Sequence, residues 1–436
     1  MKILMAVLLQ FSLAQSTPHA PQSLGESVLL AINLNPKTKS KDIQVEALHE
    51  NALAVRAGKY PSGSINCSRE YERTTENIVG YPAAIRSNVK LDDCNLTASV
   101  TLYDGGANKF AYEAALDQEE SVRDSFNSTN PFIRNTKGAI ANETMSAYLR
   151  LIGAIVGLNE GESYLKTLDV ISSIATTTDE QGLVAAKIRG VKMGLAKSKG
   201  QYTQALSDFQ NAVTVLPGAN PEDFETTIQS LKIPASAAEA VATSLRKNPD
   251  IQATNASLRA ADDSLRAARA ALGPHISLIA EIDSNSSHDG LNMGSDFTEH
   301  SSMVGVQMTV PLSLGLVHSA RAQKYSVDAA EMERNAALDD AKHGIESTYS
   351  QLDTEMIQHD LAVQAYTQAR AVFLANVDKI KNHGANLPSV QTCLLQFDDM
   401  NLQLNNMVGS QANIVGYKFT IQQLAGTVFD QARISH

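Results

Sequence analysis

One stretch of sequence occurs twice in this chain, so the fold must be two copies of whatever one copy makes. Ser23, Glu26, Asn35, Pro36, Arg56 and Pro61 recur as Ser236, Glu239, Asn248, Pro249, Arg269 and Pro274, each pair 213 positions apart with no gap. Self-similarity at a fixed offset marks an internal duplication. The second copy, Ser236 to Ile282, is the clearer one. Ile251, Leu258, Leu265 and Leu272 recur every seventh residue, and Thr254, Ala261 and Ala268 follow the first three at the third place. That is the narrow seam along which helices pack as a coiled coil. Gly273 and Pro274 stop the helix. Ile276, Leu278, Ala280 and Ile282 then alternate with Ser277, Ile279, Glu281 and Asp283, which predicts a strand with one apolar face.

The rest of the chain falls into the same order twice. Val45, Leu48, Ala52 and Val55 step by three and four along a helix from Ser23 to Lys59, with Pro36 separating a short piece from a long one. A poorly alternating strand follows from Ser62 to about Arg73. A polar loop with Gly80 and Pro82 leads to a clear strand, Cys94, Leu96, Ala98, Val100 and Leu102 on one face. Tyr103-Asp104-Gly105-Gly106 turns it into a helix expected over 108–158, interrupted at Asn130-Pro131. Further helices are expected over 163–175 and to about Val215, with a break at Asp179-Glu180-Gln181-Gly182. The second copy returns on a strand bearing Val304, Val306, Met308, Val310 and Leu312, closed by Pro311 and Gly315. A helix to about Lys381, a break at His383-Gly384 and Pro388, and a last helix ended by Ala425-Gly426-Thr427 complete it.

The expected organisation is a signal peptide over 1–14, a first repeat over 15–216 with its hairpin at about 62–103, a linker over 217–235 rich in Pro and Gly, and a second repeat over 236–436 with its hairpin at about 275–313. Lys2, the apolar run Ile3–Leu13 and Ser12-Leu13-Ala14 supply the parts of an export signal. No later segment is apolar for the roughly 20 residues a spanning helix needs. With no Trp, few aromatics and abundant Ala, Leu, Gln and Ser, the composition fits long helices better than a compact enzyme core. A net charge of −11 argues against nucleic-acid binding.

Catalytic chemistry finds no support. The ten histidines fall at no metal-ligand spacing. There is no phosphate-binding glycine loop and no nucleophile elbow. Asp262-Asp263 and Asp339-Asp340 read as solvated helix faces. No cofactor, metal or catalytic residue is expected, and the chain reads as a non-enzyme.

Helices of fifty residues, ~75 Å long, imply a rod or tube. Four strands per chain, each near the ~9–11 residues of a tilted membrane strand, follow an export signal and lead straight into such helices. No sheet edge stays open in lipid, and four strands cannot close a barrel, since the smallest has ~8. Several chains would have to pool them. A soluble helical adaptor or scaffold of the periplasm, with two half-buried hairpins and no pore, is the alternative from another class.

At this point the residues resemble a known family, the TolC-type outer-membrane efflux proteins. The likeness covers nearly the whole chain after the signal. It rests on the Ser-x-x-Glu…Asn-Pro opening of both halves, on the Arg-Ala…Pro entry into each first strand, on Leu102-Tyr103-Asp104-Gly105-Gly106, and on Leu424-Ala425-Gly426-Thr427. The resemblance implies a mainly α fold with a small β part. Three identical chains would build a twelve-stranded barrel in outer-membrane lipid and a helical tube across the periplasm. Gln181, Gly182, Gly384 and Pro388 would lie at the tube's inner tip. A periplasmic adaptor (membrane fusion) protein and an inner-membrane transporter would dock there, and small molecules or polypeptides would pass outward, as in efflux pumps and type I secretion. Members often carry an Asp just after the second break; here Ser389–Leu395 has no acid, and Lys187 stands near the first break.

The residues give one further expectation. Exported cysteines within reach of each other tend to pair. Cys67 and Cys94 lie on the two strands of one hairpin and share the apolar face. With Ser62 set opposite Leu102, Cys67 falls opposite Thr97, and a slip or bulge is needed to bring it to Cys94. Cys393 would stay a buried free thiol.

Overall fold

The computed structural model describes residues 20–76, 85–130, 136–289, 297–382 and 388–430. The export signal over 1–14, the Gly80–Pro82 loop, Pro131, His383 and Gly384 lie outside the described residues.

Two copies of one helix–strand plan are visible in the element boundaries. Helices α1 (Leu24–Leu34) and α2 (Pro36–Ala57) lead into β1 (Ser62–Glu76) and β2 (Ile85–Tyr103). Then come α3 (Ala107–Phe126), α4 (Lys137–Ser172), α5 (Thr178–Val213) and the short α6 (Phe224–Ser230). The second copy runs α7 (Ala237–Lys247), α8 (Pro249–Ala270), β3 (His275–Asp289), β4 (Phe297–Thr309), α9 (Leu314–Lys381) and α10 (Val390–Ala425). Every boundary of α1, α2 and β1 reappears in α7, α8 and β3 displaced by the same 213 residues.

The capping chemistry shows why. The Ser23 and Ser236 hydroxyls accept from the amides of Glu26 and Glu239, both at 3.2 Å. The two glutamates reach back to the amides of Gln22 and Ala235, both at 2.9 Å. Each pair satisfies helix-start donors that have no intrahelical partner. Asn35 and Asn248 repeat the trick one helix later, their side chains accepting from the amides of Lys37 and Asp250 at 2.9 and 2.8 Å. Pro36 and Pro249 occupy the first helical position, where the missing N–H costs nothing.

The chain divides into two compact units, and each draws on both copies. The first comprises 1–42, 124–252 and 336–436; the second comprises 43–123 and 253–335. Sequential repeats and compact units therefore differ, because each copy leaves one unit through its first helices and re-enters it through its later ones.

The first unit holds the large side chains. Leu24, Val28, Tyr148, Leu151, Phe209 and Phe419 form one buried cluster. Side chains of this size each contribute about 1.5–3 kcal/mol when fully buried. Tyr148 donates its hydroxyl to the Gln22 carbonyl at 2.9 Å, so its polar end is satisfied inside the core. The second unit buries mostly alanine along its helices: Ala52, Ala114, Ala253, Ala256, Ala260 and Ala330. The seam expected on α8 is present at Ile251 and Leu265, while alanines supply the rest of the buried stripe.

The interruption expected at Asn130-Pro131 falls between α3, which ends at Phe126, and α4, which begins at Lys137. Two other expectations change. α4 does not stop at Leu158 but continues to Ser172. Gly157 and Gly161 do not break it, because they sit where α5 comes close: a Cβ on Gly161 would stand 3.0 Å from Leu195 Cδ1. The stretch 217–235 holds α6, whose N-cap Asp223 accepts from Thr226 at 2.8 Å. Among the described residues no helix is long and apolar enough to cross a membrane.

Candidate membrane sheet and helix turns

The four strands form one antiparallel sheet in the order β1-β2-β3-β4. Its register sorts the side chains into two unlike faces. On one, Ile65, Leu96 and Ile282 share a rank; Gly63, Ala98, Ala280 and Val304 make the next; Val100, Leu278 and Val306 the third; Ile276 and Met308 the last. Val304 is 75% exposed, and Val306 and Met308 are each 66% exposed. An apolar face this bare needs a nonpolar surrounding or a partner. These ranks run from Ile276 to Ile282, about 20 Å along a strand.

The next rank is Cys67, Cys94, Ser284 and His300. Cys67 and Cys94 are joined by a disulfide. The expected register is corrected here. Ser62 pairs with Ser99, not Leu102, and Cys67 lies directly opposite Cys94. The two strands do not end flush: β2 runs on past the start of β1 toward the helices and pairs there with β3 alone, through an irregularity between Thr101 and Tyr103. Arg69, awkward on an apolar face, lies past the disulfide, where its Nε donates to Asp92 Oδ1 at 2.6 Å.

The opposite face is mostly polar, with Leu91, Ile279 and Met303 among its apolar members. Hydroxyls pair across strands, Ser62 with Ser99 at 3.2 Å and Ser64 with Thr97 at 2.7 Å. Asn95 Nδ2 donates to Glu281 Oε1 at 2.6 Å and also to Asp283. By register this face carries Glu70, Glu72, Asp93, Glu281, Asp283 and Glu299, and no Lys or Arg among its described positions between Ser62 and Glu72 or on the facing strands. At the helix end of the sheet, Gly105 and Gly106 take φ of +66° and +88°, and the Asp104 carboxylate accepts from the amides of Gly106 and Asn108 at 2.9 and 2.8 Å. Glycine reaches that backbone region without steric cost, which fixes the abrupt turn into α3.

The two later helix turns belong to the first unit. The break expected at Asp179–Gly182 lies earlier, at 173–177, and Gln181 and Gly182 are in the opening turns of α5. Thr177 and Glu180 form a capping box, and the Glu180 carboxylate accepts from the amides of Thr176 and Thr177 at 3.1 and 3.2 Å. Those bonds hold its carboxyl below the usual range. Gln181 Nε2 reaches back across the turn to the Ala175 carbonyl at 3.2 Å. At the second turn Pro388 is followed by the N-cap Ser389, which accepts from Thr392 at 3.1 Å. Gly384 lies outside the described residues.

Both turns rest on one cluster: Leu168, Ile171 and Val184 from the first, Phe373, Val390 and Phe397 from the second. Tyr164 meets Phe397 edge-on at 5.1 Å. Cys393 is the free cysteine among the described residues, buried in the same cluster, and burial pushes its thiol up. Lys187 Nζ bonds Asp398 and lies 5.5 Å from the Phe397 ring centre. The sequence marks Lys187 only as a cation near the first break. Nothing in the sequence signals that residues 211 positions apart meet.

A duplicated set of long helices and a four-stranded sheet, apolar on one face and mostly polar on the other, resembles the outer-membrane channels of the TolC type. Residues 240–382 match the outer membrane efflux protein family. The outer membrane efflux protein BepC of Brucella suis is 23% identical over 416 residues, 90% of this chain and 85% of its own length. The solvent efflux pump outer membrane protein SrpC of Pseudomonas putida is 23% identical over 79% of this chain and 72% of its own. Among solved structures, the outer membrane protein VceC of Vibrio cholerae shares the fold with a TM-score of 0.71 at 14% identity, covering 93% of this chain and 96% of that one. The Neisseria gonorrhoeae MtrE outer membrane channel gives 0.69 at 16% identity, covering 94% and 90%. The chain is similar to the outer membrane efflux proteins in sequence over these stretches and in fold along nearly its whole length.

Proposed function

We propose that this protein is the outer-membrane duct of an efflux assembly, carrying solutes outward without chemistry of its own. One observation carries the reading: a sheet with an exposed apolar face and a polar face, whose β1 and β4 edges have no strand partner within the described chain. In lipid such edges must be paired, and several copies pooling their strands is the economical way to pair them. Three copies would give a twelve-stranded barrel, with the acidic polar face turned to the lumen. A second bare stripe on α9, including Tyr325, Met332, Ile357 and Leu361, supplies apolar surface for neighbouring copies.

The helix turns at 173–177 and around Pro388 would lie at the periplasmic end, where an adaptor protein and an inner-membrane transporter dock. Residues 1–14 would direct export. SrpC is named for solvent efflux, which makes small apolar molecules the first cargo class to test, with polypeptides the second. The mass of the detergent-solubilised particle tests the assembly: three chains are expected, and a monomer retained in the soluble periplasmic fraction would overturn it. Deleting the chain and scoring both solvent or drug sensitivity and the exported proteome separates the two cargo classes.

A further inference from the structure

Where α2 enters β1 and β2 leaves into α3, the second unit holds a cavity of about 540 Å³ lined by Arg56, Lys59, Tyr60, Lys109, Tyr112 and Glu113, with Asn108. Three cations face one carboxylate there, in a chain whose net charge is −11. Lys109 lies 3.7 Å from Glu113 Oε1. Arg56 and Lys59 have no carboxylate partner among the described residues; the Arg56 guanidinium sits 5.6 Å from the centre of the Tyr112 ring. Asn108 Nδ2 donates to the Val55 carbonyl at 2.9 Å and closes the seam between the two helices.

We propose that this groove binds the phosphate of a phospholipid headgroup in the leaflet facing the helices. The position argues for it. Tyr60 stands two residues before β1, and Asn108 to Glu113 form the opening turns of α3, so the groove lies beside the rank where the apolar face begins. Tyr and cationic side chains gather at that level of a bilayer because each has an apolar body and a polar tip. Arg offers paired N–H donors to a phosphate and Lys a compact charge. Basic pockets beside membrane-spanning helices are known to bind anionic lipid headgroups, and the same chemistry applies here. A free phosphate would use the cations but not the exposed Tyr60 ring, nor the adjoining apolar ranks, which suit acyl chains.

The assignment rests on the membrane reading of the sheet, so its test reads both. Full-length protein in detergent is supplied with phosphatidylglycerol and examined by native mass spectrometry, and the same preparations are assayed for bilayer conductance. Wild type is expected to retain the lipid. Arg56→Gln with Lys59→Gln is expected to weaken retention about tenfold or more while conducting normally. Lys37→Gln with Lys39→Gln, which removes two cations from the other end of α2, is expected to change neither. Equal retention in wild type and the Arg56/Lys59 variant, both conducting, would overturn the lipid site alone. Binding of inorganic phosphate alone as tightly as the lipid would overturn its assignment to a headgroup. Loss of conductance in wild type would instead remove the membrane reading beneath it.

Discussion

Cys67 and Cys94 stand directly opposite one another on β1 and β2 and are linked, closing a loop between residues 27 apart. The bond ties the weakly alternating first strand to the strong second one. Intact-mass analysis of denatured, unreduced protein after alkylation should show one modified thiol, Cys393; three would contradict the pairing. Chain entropy alone puts the effect of removing such a link at about 3.5 kcal/mol of stability.

Two glycines should answer alanine in opposite directions. Gly426 caps α10 at φ +72°, and a Cβ there would stand 2.5 Å from the Lys247 carbonyl oxygen. Gly182 lies inside α5 with nothing within 4 Å of the same position. Gly426→Ala should destabilise by about 2 kcal/mol or more, since neither the backbone nor that carbonyl can give cheaply. Gly182→Ala should be neutral or stabilise by up to ~1 kcal/mol. Denaturant melts in detergent measure both, and equal effects would argue against this helix-end geometry.

The two faces of the sheet predict an asymmetry. Val306→Lys places a charge on the bare apolar face and should cost about 2–4 kcal/mol of membrane stability near mid-bilayer. Ser64→Lys, on the hydroxyl-paired polar face, should assemble normally. Yields of folded protein in the outer-membrane fraction distinguish them; the reverse order would mean the faces are inverted.

Much of this fold was legible because its signals are local. The Ser-x-x-Glu caps, the two Asn-Pro steps and the strict alternation of β3 each act within a few residues, and so the helix starts and strand faces could be read directly. The helix turn before α5 was misplaced for a physical reason. Asp179 and Glu180 looked like part of a polar break, yet acids favour the first turn of a helix, so they mark its start. The β1–β2 register depended on which strand ran further toward the helices, which no local signal states. The meeting of Lys187 with Asp398, and of Gly161 with Leu195, depends on helix pairing across long separations and could not be seen in either partner's neighbourhood.

Asp250 gives a pH prediction. Burial pushes its carboxyl above the ordinary value, and a bond with Ser128 only partly offsets this. A raised acid penalises the folded state at pH above its folded pKa, and the penalty vanishes as pH falls below the unfolded value, about 4 for aspartate. Asp250→Asn should therefore raise the melting temperature at neutral pH, with the gain shrinking toward zero below that range. A gain that persists unchanged in acid would rule out ionisation as its cause.

The most direct measurement is conductance of the purified full-length protein in a planar lipid bilayer under asymmetric salt. Discrete channels are expected, with reversal potentials favouring cations because the polar face carries Glu281, Asp283 and their neighbours without a Lys or Arg among its described positions. Glu281→Gln with Asp283→Asn should reduce that preference. Protein that folds and binds the bilayer yet never conducts would contradict the duct.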